Sequence, residues 1–158
     1  MVAVIVHVPG KGWEWTRWQV PKHVLGRLLE RHDNYIGLLE MFGVVITLTT
    51  WRSLLRGASW IALCDNDGVI GNIGNGAVHQ FESQDANNVL GKFWMELARQ
   101  DTGFYISRVP TKMNAADEPS RDCLDLVKRL QAKWKEPCIP SWLTDVWRQV
   151  EINASDFE

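Results

Sequence analysis

Three carboxylates stand where a carboxylate is expected to do chemistry: Glu40, Asp65 and Asp117. Glu40 lies inside an otherwise apolar stretch, so the water that it loses must be replaced by a base, by a metal ion or by an opening to solvent. Taken alone, Glu40 is explained as well by a salt bridge with Arg52 or Arg56, or by simple exposure, as by a functional role.

The two aspartates each have an ordinary explanation as well. Asp65 ends a short apolar run and begins Asp65-Asn66-Asp67-Gly68, which is good turn chemistry whatever its function. Asp117 stands at the predicted start of a helix, where an aspartate commonly caps the helix or interacts with its dipole. Neither residue by itself indicates a site.

Together, the three carboxylates indicate metal-assisted chemistry. A helix glutamate, a strand-end aspartate and a helix-start aspartate can meet at one rim of a sheet, where clustered oxygen ligands suit Mg²⁺ or Mn²⁺. Two such ions about 4 Å apart activate a water and stabilise the leaving oxygen in many nucleases. We therefore take Glu40, Asp65 and Asp117 as candidate catalytic and metal-binding residues, with three coincidental acids in an unrelated α/β protein as the weaker alternative.

The elements that would position these residues follow from the hydrophobic pattern. Strands alternate with helices, and a Gly-containing turn joins the first two strands, which predicts an α/β fold with a mixed β-sheet flanked by α-helices. The predicted strands are Val2 to Val8, Trp13 to Val20, Trp60 to Cys64 and Phe104 to Val109. The predicted helices are a short one within Pro21 to Asn34, a buried one from Ile36 to Trp51, one from Ser83 or Asp85 to Arg99, one from Asp117 or Ser120 through Cys123, Val127, Leu130 and Trp134, and a last one carrying Leu143, Val146, Trp147 and Val150.

Composition limits the class of protein. The 158 residues are 46% hydrophobic and 23% charged, enough for one globular domain with a core. Three scattered cysteines without a C-x-x-C pair suggest neither a disulfide framework nor a zinc ribbon and favour a reducing, intracellular compartment, cytoplasmic or nuclear. The apolar runs are too short for a signal peptide or a membrane span, so no membrane partner is expected.

Three motifs resemble a known family in their order and in the elements that carry them. The motifs are Tyr35-Ile36-x-x-Leu39-Glu40, Cys64-Asp65-Asn66 and Arg108-Val109-Pro110-Thr111-x-x-Asn114-x-Ala116-Asp117-x-Pro119-Ser120-Arg121. In these motifs the chain resembles the ribonuclease H-like domain that follows the polymerase in retroelement reverse transcriptases, over about Val2 to Leu130. We expect one domain over residues 1–131 and a helical tail over residues 132–158.

The resemblance implies a five-stranded mixed sheet and a two-ion Mg²⁺ or Mn²⁺ site that cleaves the RNA strand of RNA–DNA hybrids, next to a polymerase domain. Glu40, Asp65 and Asp117 match three of the family's four metal-binding carboxylates, whereas Asn66 and Asn114 match positions that look structural.

The chain departs from the family at the first catalytic carboxylate, an aspartate on the first strand, because no acid precedes Glu14. Three explanations stay open: the chain is N-terminally truncated, it is a degenerate member, or Val2 to Val8 is the first strand without its acid. We expect weak or absent activity of this polypeptide alone. The alternative function is a non-catalytic ribonuclease H-like module that binds nucleic acid or supports a neighbouring polymerase.

Charge is unevenly distributed along the chain. The net charge is −2, but residues 1–60 carry +3 and residues 61–158 carry −5. Basic residues in the first part could follow a phosphate backbone, with an ordinary solvated surface as the alternative. The candidate nucleic-acid-binding residues are Lys11, Arg17, Lys22, Arg27 and Arg31.

Overall fold

A β-hairpin opens the chain in this computed structural model, which describes residues 1–28, 35–78 and 84–145. Strand β1 (Val2–Val8) pairs antiparallel with β2 (Gly12–Trp18). The turn between them is closed by a hydrogen bond of 2.9 Å from the Lys11 N–H to the Val8 carbonyl, and Gly10 adopts the positive φ of 74° that the turn requires. The predicted hairpin is confirmed.

A long buried helix follows the hairpin. After α1 (Lys22–Leu25), helix α2 (Ile36–Thr50) runs through the core and is followed directly by α3 (Arg52–Leu55). Phe42 is fully buried and Ile46 is 1% exposed, as the nearly uniform apolarity of this stretch predicts. No helix among the described residues is both long and apolar enough to cross a membrane.

Two further strands pair in parallel and form a second sheet. Strand β3 (Ser59–Cys64) pairs in parallel with β4 (Gly103–Arg108), and the connection between them contains α4 (Asp67–Asn75) and α5 (Gln84–Arg99). The turn predicted at Asp65 to Gly68 leads directly into a helix that the sequence pattern did not predict, because α4 begins at Asp67. The Asn66 side chain caps α4 by accepting hydrogen bonds from the Gly68 and Val69 N–H groups.

The chain after β4 forms several short elements where the sequence pattern predicted one long helix. A 3₁₀ turn (Thr111–Met113) leads to α6 (Asp117–Ser120), α7 (Asp125–Arg129), β5 (Lys133–Trp134) and α8 (Ser141–Asp145). The single predicted helix through Cys123 and Trp134 was wrong. Asp122 and Gln131 have positive φ angles of 64° and 50°, which interrupt a right-handed helix, and Trp134 lies in a strand that pairs in parallel with β2.

The strands form two sheets that helices flank. The first sheet has the order β1-β2-β5 and is mixed, and the second consists of β3 and β4. This arrangement confirms an α/β class with a mixed sheet. The C-terminal segment packs on the same core: Leu143 is fully buried, and Thr49 and Thr50 on α2 hydrogen-bond the backbone of Cys138. The predicted helical residues Val146, Trp147 and Val150 lie outside the described part of the chain.

Candidate metal centre

Glu40 lies near the beginning of α2, on the side that faces the end of β3. Its Oε2 atom accepts a hydrogen bond of 3.4 Å from the Cys64 thiol. Arg52, one of the two cations considered as a partner for Glu40, instead contacts Glu96 at 2.5 Å. The half-buried carboxylate therefore points toward the carboxyl end of a strand, where α/β proteins place their ligands.

Asp65 is the first residue after β3, and its side chain is held from another segment. Its Oδ1 atom accepts a hydrogen bond of 2.8 Å from the Asn114 side-chain amide. Asn114 is itself fixed locally, because its Oδ1 atom accepts a hydrogen bond from the Ala116 N–H at 3.1 Å. The segment after β4 thus orients the aspartate that follows β3.

Glu40, Cys64 and Asp65 form one group of potential ligands. One ligand atom from each residue lies within 4.8 Å of those of the other two. The thiol is buried, and burial raises its pKa to about 12, with a further contribution from the neighbouring Glu40 carboxylate. The group therefore offers two carboxyl groups and, at neutral pH, a protonated thiol.

Sequence reasoning missed Cys64 as a member of this group. The signal was available in the strand pattern, since alternate residues of a strand share a face and Cys64 shares its face with Trp60 and Ala62. These three residues are less exposed than Ser59, Ile61 and Leu63 between them. A lone cysteine carries no ligand spacing, so the strand alternation was the only indication.

Asp117 does not complete the group of carboxylates. It begins α6 and forms an ion pair with Arg121 at 2.9 Å. Within the described ranges, Asp117 has no ligand atom within 4.8 Å of both Glu40 and Asp65. Asp117 is linked to Asp65 through Asn114, because the Asp117 backbone N–H donates to the carbonyl of Asn114 at 3.2 Å.

The predicted basic surface is divided between the two ends of the hairpin. Lys11 lies in the turn between β1 and β2, whereas Arg17 lies near the far end of β2 and Lys22 begins α1. Arg17 is engaged in an ion pair with Asp122 and lies over the Trp15 ring at 5.9 Å. Arg27 follows α1, and Arg31 falls outside the described residues.

Comparisons with models of known protein families, with curated proteins and with solved structures found no match.

Proposed function

We propose that this chain is a ribonuclease H-like domain of the kind found in retroelement reverse transcriptases, and that it acts on the RNA strand of RNA–DNA hybrids through a divalent cation held by Glu40 and Asp65. One observation carries the proposal. Each of the three sequence motifs contributes a side chain to the same place: Glu40 from the first, Asp65 from the second and Asn114 from the third. The motifs are far apart in sequence, and the fold brings them together at the end of β3.

The donor set fits Mg²⁺ or Mn²⁺. Both ions prefer oxygen ligands, and two carboxylates whose ligand atoms lie within 4.8 Å of each other repel unless a cation or a proton compensates them. The two carboxyl groups supply the oxygen ligands that these ions prefer, and Cys64 lies beside them as a buried thiol. A cation bound here would lower the pKa of a water molecule and stabilise the leaving oxygen of a phosphodiester.

The chain's own residues set the expected strength of the activity. Asn114 orients Asp65 by donating to one of its oxygens, and that oxygen keeps a second lone pair for an ion. Asp117, the third candidate ligand, is paired with Arg121 instead. Two carboxylates suffice to hold one ion but provide few ligands for a second, so we expect slow cleavage by the isolated chain and a need for Mn²⁺ or for a neighbouring polymerase domain.

A labelled RNA–DNA hybrid incubated with the chain in Mn²⁺ tests the proposal. We expect slow cleavage of the RNA strand that Glu40→Gln abolishes and that Asp67→Asn preserves. Asp67 is a suitable control because it lies two residues from Asp65 but contacts Arg108 at 3.3 Å. Cleavage that Glu40→Gln leaves unchanged would contradict the proposal. Hybrid binding without any cleavage would favour the non-catalytic module.

A further inference from the structure

The two faces of the first sheet have different surroundings. In the pairing of β1 with β2, even-numbered residues lie opposite even-numbered residues and share one face, and the odd-numbered residues share the other. The even-numbered face packs on the core, where Val2, Val4 and Val6 contribute and the Trp18 ring lies 6.0 Å from Phe42 of α2. The odd-numbered face therefore points away from α2.

Aromatic rings form a row across this odd-numbered face. His7 and Trp13 lie opposite each other with ring centroids 4.7 Å apart, and Trp15 lies opposite Trp134 of β5 at 4.8 Å. Trp13 and Trp15 are two residues apart on β2, which separates them by about 7 Å along the strand. We call these four residues, His7, Trp13, Trp15 and Trp134, the aromatic face.

The aromatic face is open to solvent at both of its sides. Trp134, on the edge strand β5, is 48% exposed, and His7 is exposed beside the hairpin turn, with Trp13 and Trp15 partly buried between them. The indole N–H of Trp134 donates to Glu136 at 3.3 Å, which restrains the plane of the ring. A single exposed apolar side chain needs no explanation, but a contiguous row of rings at the surface indicates a binding site.

The charges beside the aromatic face suit an anionic partner. Lys11 in the turn and Arg17 at the far end of β2 place a cation at each end of the row, and no odd-numbered residue of the hairpin is acidic. The Arg17 guanidinium lies 5.9 Å from the Trp15 ring centroid and pairs with Asp122, whose side chain is 70% exposed. Because exposed ion pairs contribute little, a phosphate can replace Asp122 as the partner of Arg17.

Aromatic rings flanked by cations match the chemistry of a single-stranded nucleic acid. Unpaired bases present flat faces that stack on aromatic side chains, whereas a duplex keeps those faces inside its own stack. We propose that the aromatic face binds single-stranded nucleic acid, with bases stacked on the exposed rings, chiefly Trp134, and phosphates contacting Lys11 and Arg17. An acidic peptide is the less suitable partner, because it would use the cations and leave the row of rings without a role.

Fluorescence anisotropy in EDTA tests the proposal. The probes are labelled oligo(dT) and oligo(U) of about twelve nucleotides, a length that one single-strand site covers. The competitors are a DNA duplex of the same length and dextran sulfate, a polyanion without bases. We expect both probes to bind with similar affinity and unlabelled oligo(dT) to displace them at least fivefold more effectively than either competitor. Equally effective displacement by dextran sulfate or by the duplex would overturn the proposal.

Two variants of Trp134 separate stacking from apolar contact. Trp134→Leu keeps an apolar side chain without the ring and should raise the dissociation constant for oligo(dT) at least fivefold, whereas Trp134→Phe should stay within about twofold of the wild type. Trp94→Leu is the matched control, at a tryptophan of α5 that is 38% exposed. Unchanged affinity in Trp134→Leu, or an equal loss in Trp94→Leu, would overturn the proposal, with urea unfolding midpoints verifying that each variant is folded.

Salt dependence tests the phosphate contacts. Lys11→Gln and Arg17→Gln should each reduce the slope of log affinity against log salt concentration by about 0.7, the value for one phosphate contact of a single strand. Unchanged slopes in both variants would overturn the role of these two cations.

The inference does not rest on the proposed nuclease function. The aromatic face belongs to the first sheet, whereas Glu40 and Asp65 lie at the end of β3 in the second. Binding of oligo(dT) in EDTA requires neither a metal ion nor cleavage of RNA. Failure of this binding is therefore distinguishable from failure of the nuclease assay.

Discussion

The side-chain amide of Asn114 donates a hydrogen bond of 2.8 Å to Oδ1 of Asp65, across 49 positions of sequence. This contact joins the segment after β4 to the end of β3, where Glu40 also lies. Asn114 is therefore a positioning residue for the aspartate that is proposed to bind the cation. The proposed site would depend on Asn114 for the orientation of Asp65 and not for a ligand.

Asn114→Ala tests this positioning role. Loss of a group that orients a metal ligand typically costs 10–100-fold in metal affinity, and we expect a Mn²⁺ dissociation constant raised by about tenfold. Calorimetric titration measures it, with Asn75→Ala, at an exposed position in α4, as the control. An unchanged Mn²⁺ affinity in a folded Asn114→Ala chain would contradict the role.

The buried Cys64 thiol predicts a loss of stability at alkaline pH. Its pKa is about 12 in the folded chain against an ordinary 9.0, so between these values the unfolded chain releases the proton that the folded chain keeps. The folded state consequently loses stability as the pH rises above 9, by about 2 kcal/mol at pH 10.5.

Urea unfolding at pH 8 and pH 10.5 checks this expectation. Cys64→Ala should lose less stability than the wild type between the two pH values, whereas Cys123→Ala, at an exposed cysteine, should behave like the wild type. The same loss in all three chains would show that the thiol at position 64 is not responsible.

The ion pair between Arg17 and Asp122 predicts a latent nucleic-acid contact. Asp122→Asn should free the guanidinium and increase the affinity for an RNA–DNA hybrid severalfold at low salt, because phosphate contacts depend on available positive charge. Asparagine tolerates the positive φ of 64° at this position, so the backbone should be preserved.

Fluorescence anisotropy with a labelled hybrid measures this effect across a salt series. Arg17→Ala in the Asp122→Asn background should return the affinity to the wild-type value or below it. If Asp122→Asn gains no affinity at low salt, Arg17 does not lie on the path of the nucleic acid.

The fully buried Leu143 predicts that the C-terminal segment stabilises the fold. Leu143→Ala should lower the free energy of unfolding by about 2–5 kcal/mol, the range for a leucine removed from a packed core. Met95→Ala is the matched control, since Met95 is 55% exposed and should cost at most about 0.5 kcal/mol. Equal unfolding midpoints in urea would show that residues after β5 do not contribute to the core.

The local sequence pattern correctly predicted the elements whose own residues carry a clear signal. The apolar stretch of α2, the β-branched run of β1 and the turn at Gly10 each carry their own signal. Helix α4 was not predicted, because Asn66 suits a turn as well as it suits the cap of a helix. Trp134 misled because its spacing from Val127 fits a helix, whereas its pairing with Trp15 depends on a distant strand.

The candidate site was predicted only in part for a related reason. Residue type and position indicated Glu40 and Asp65, but the contacts of Cys64 and Asn114 join segments that are 24 and 49 positions apart. The ion pair between Asp117 and Arg121 is local in sequence. Whether Asp117 joins the other carboxylates, however, depends on tertiary contacts, which the sequence pattern does not indicate. Tertiary contacts decided which carboxylates converge.

Calorimetric titration with Mn²⁺ tests the central claim, that Glu40 and Asp65 hold a divalent cation together. The wild-type chain and Asp67→Asn should bind the ion with similar affinity, whereas Glu40→Gln and Asp65→Asn should each lose measurable binding. Absence of Mn²⁺ binding by the wild type, or equal binding by all four chains, would contradict it.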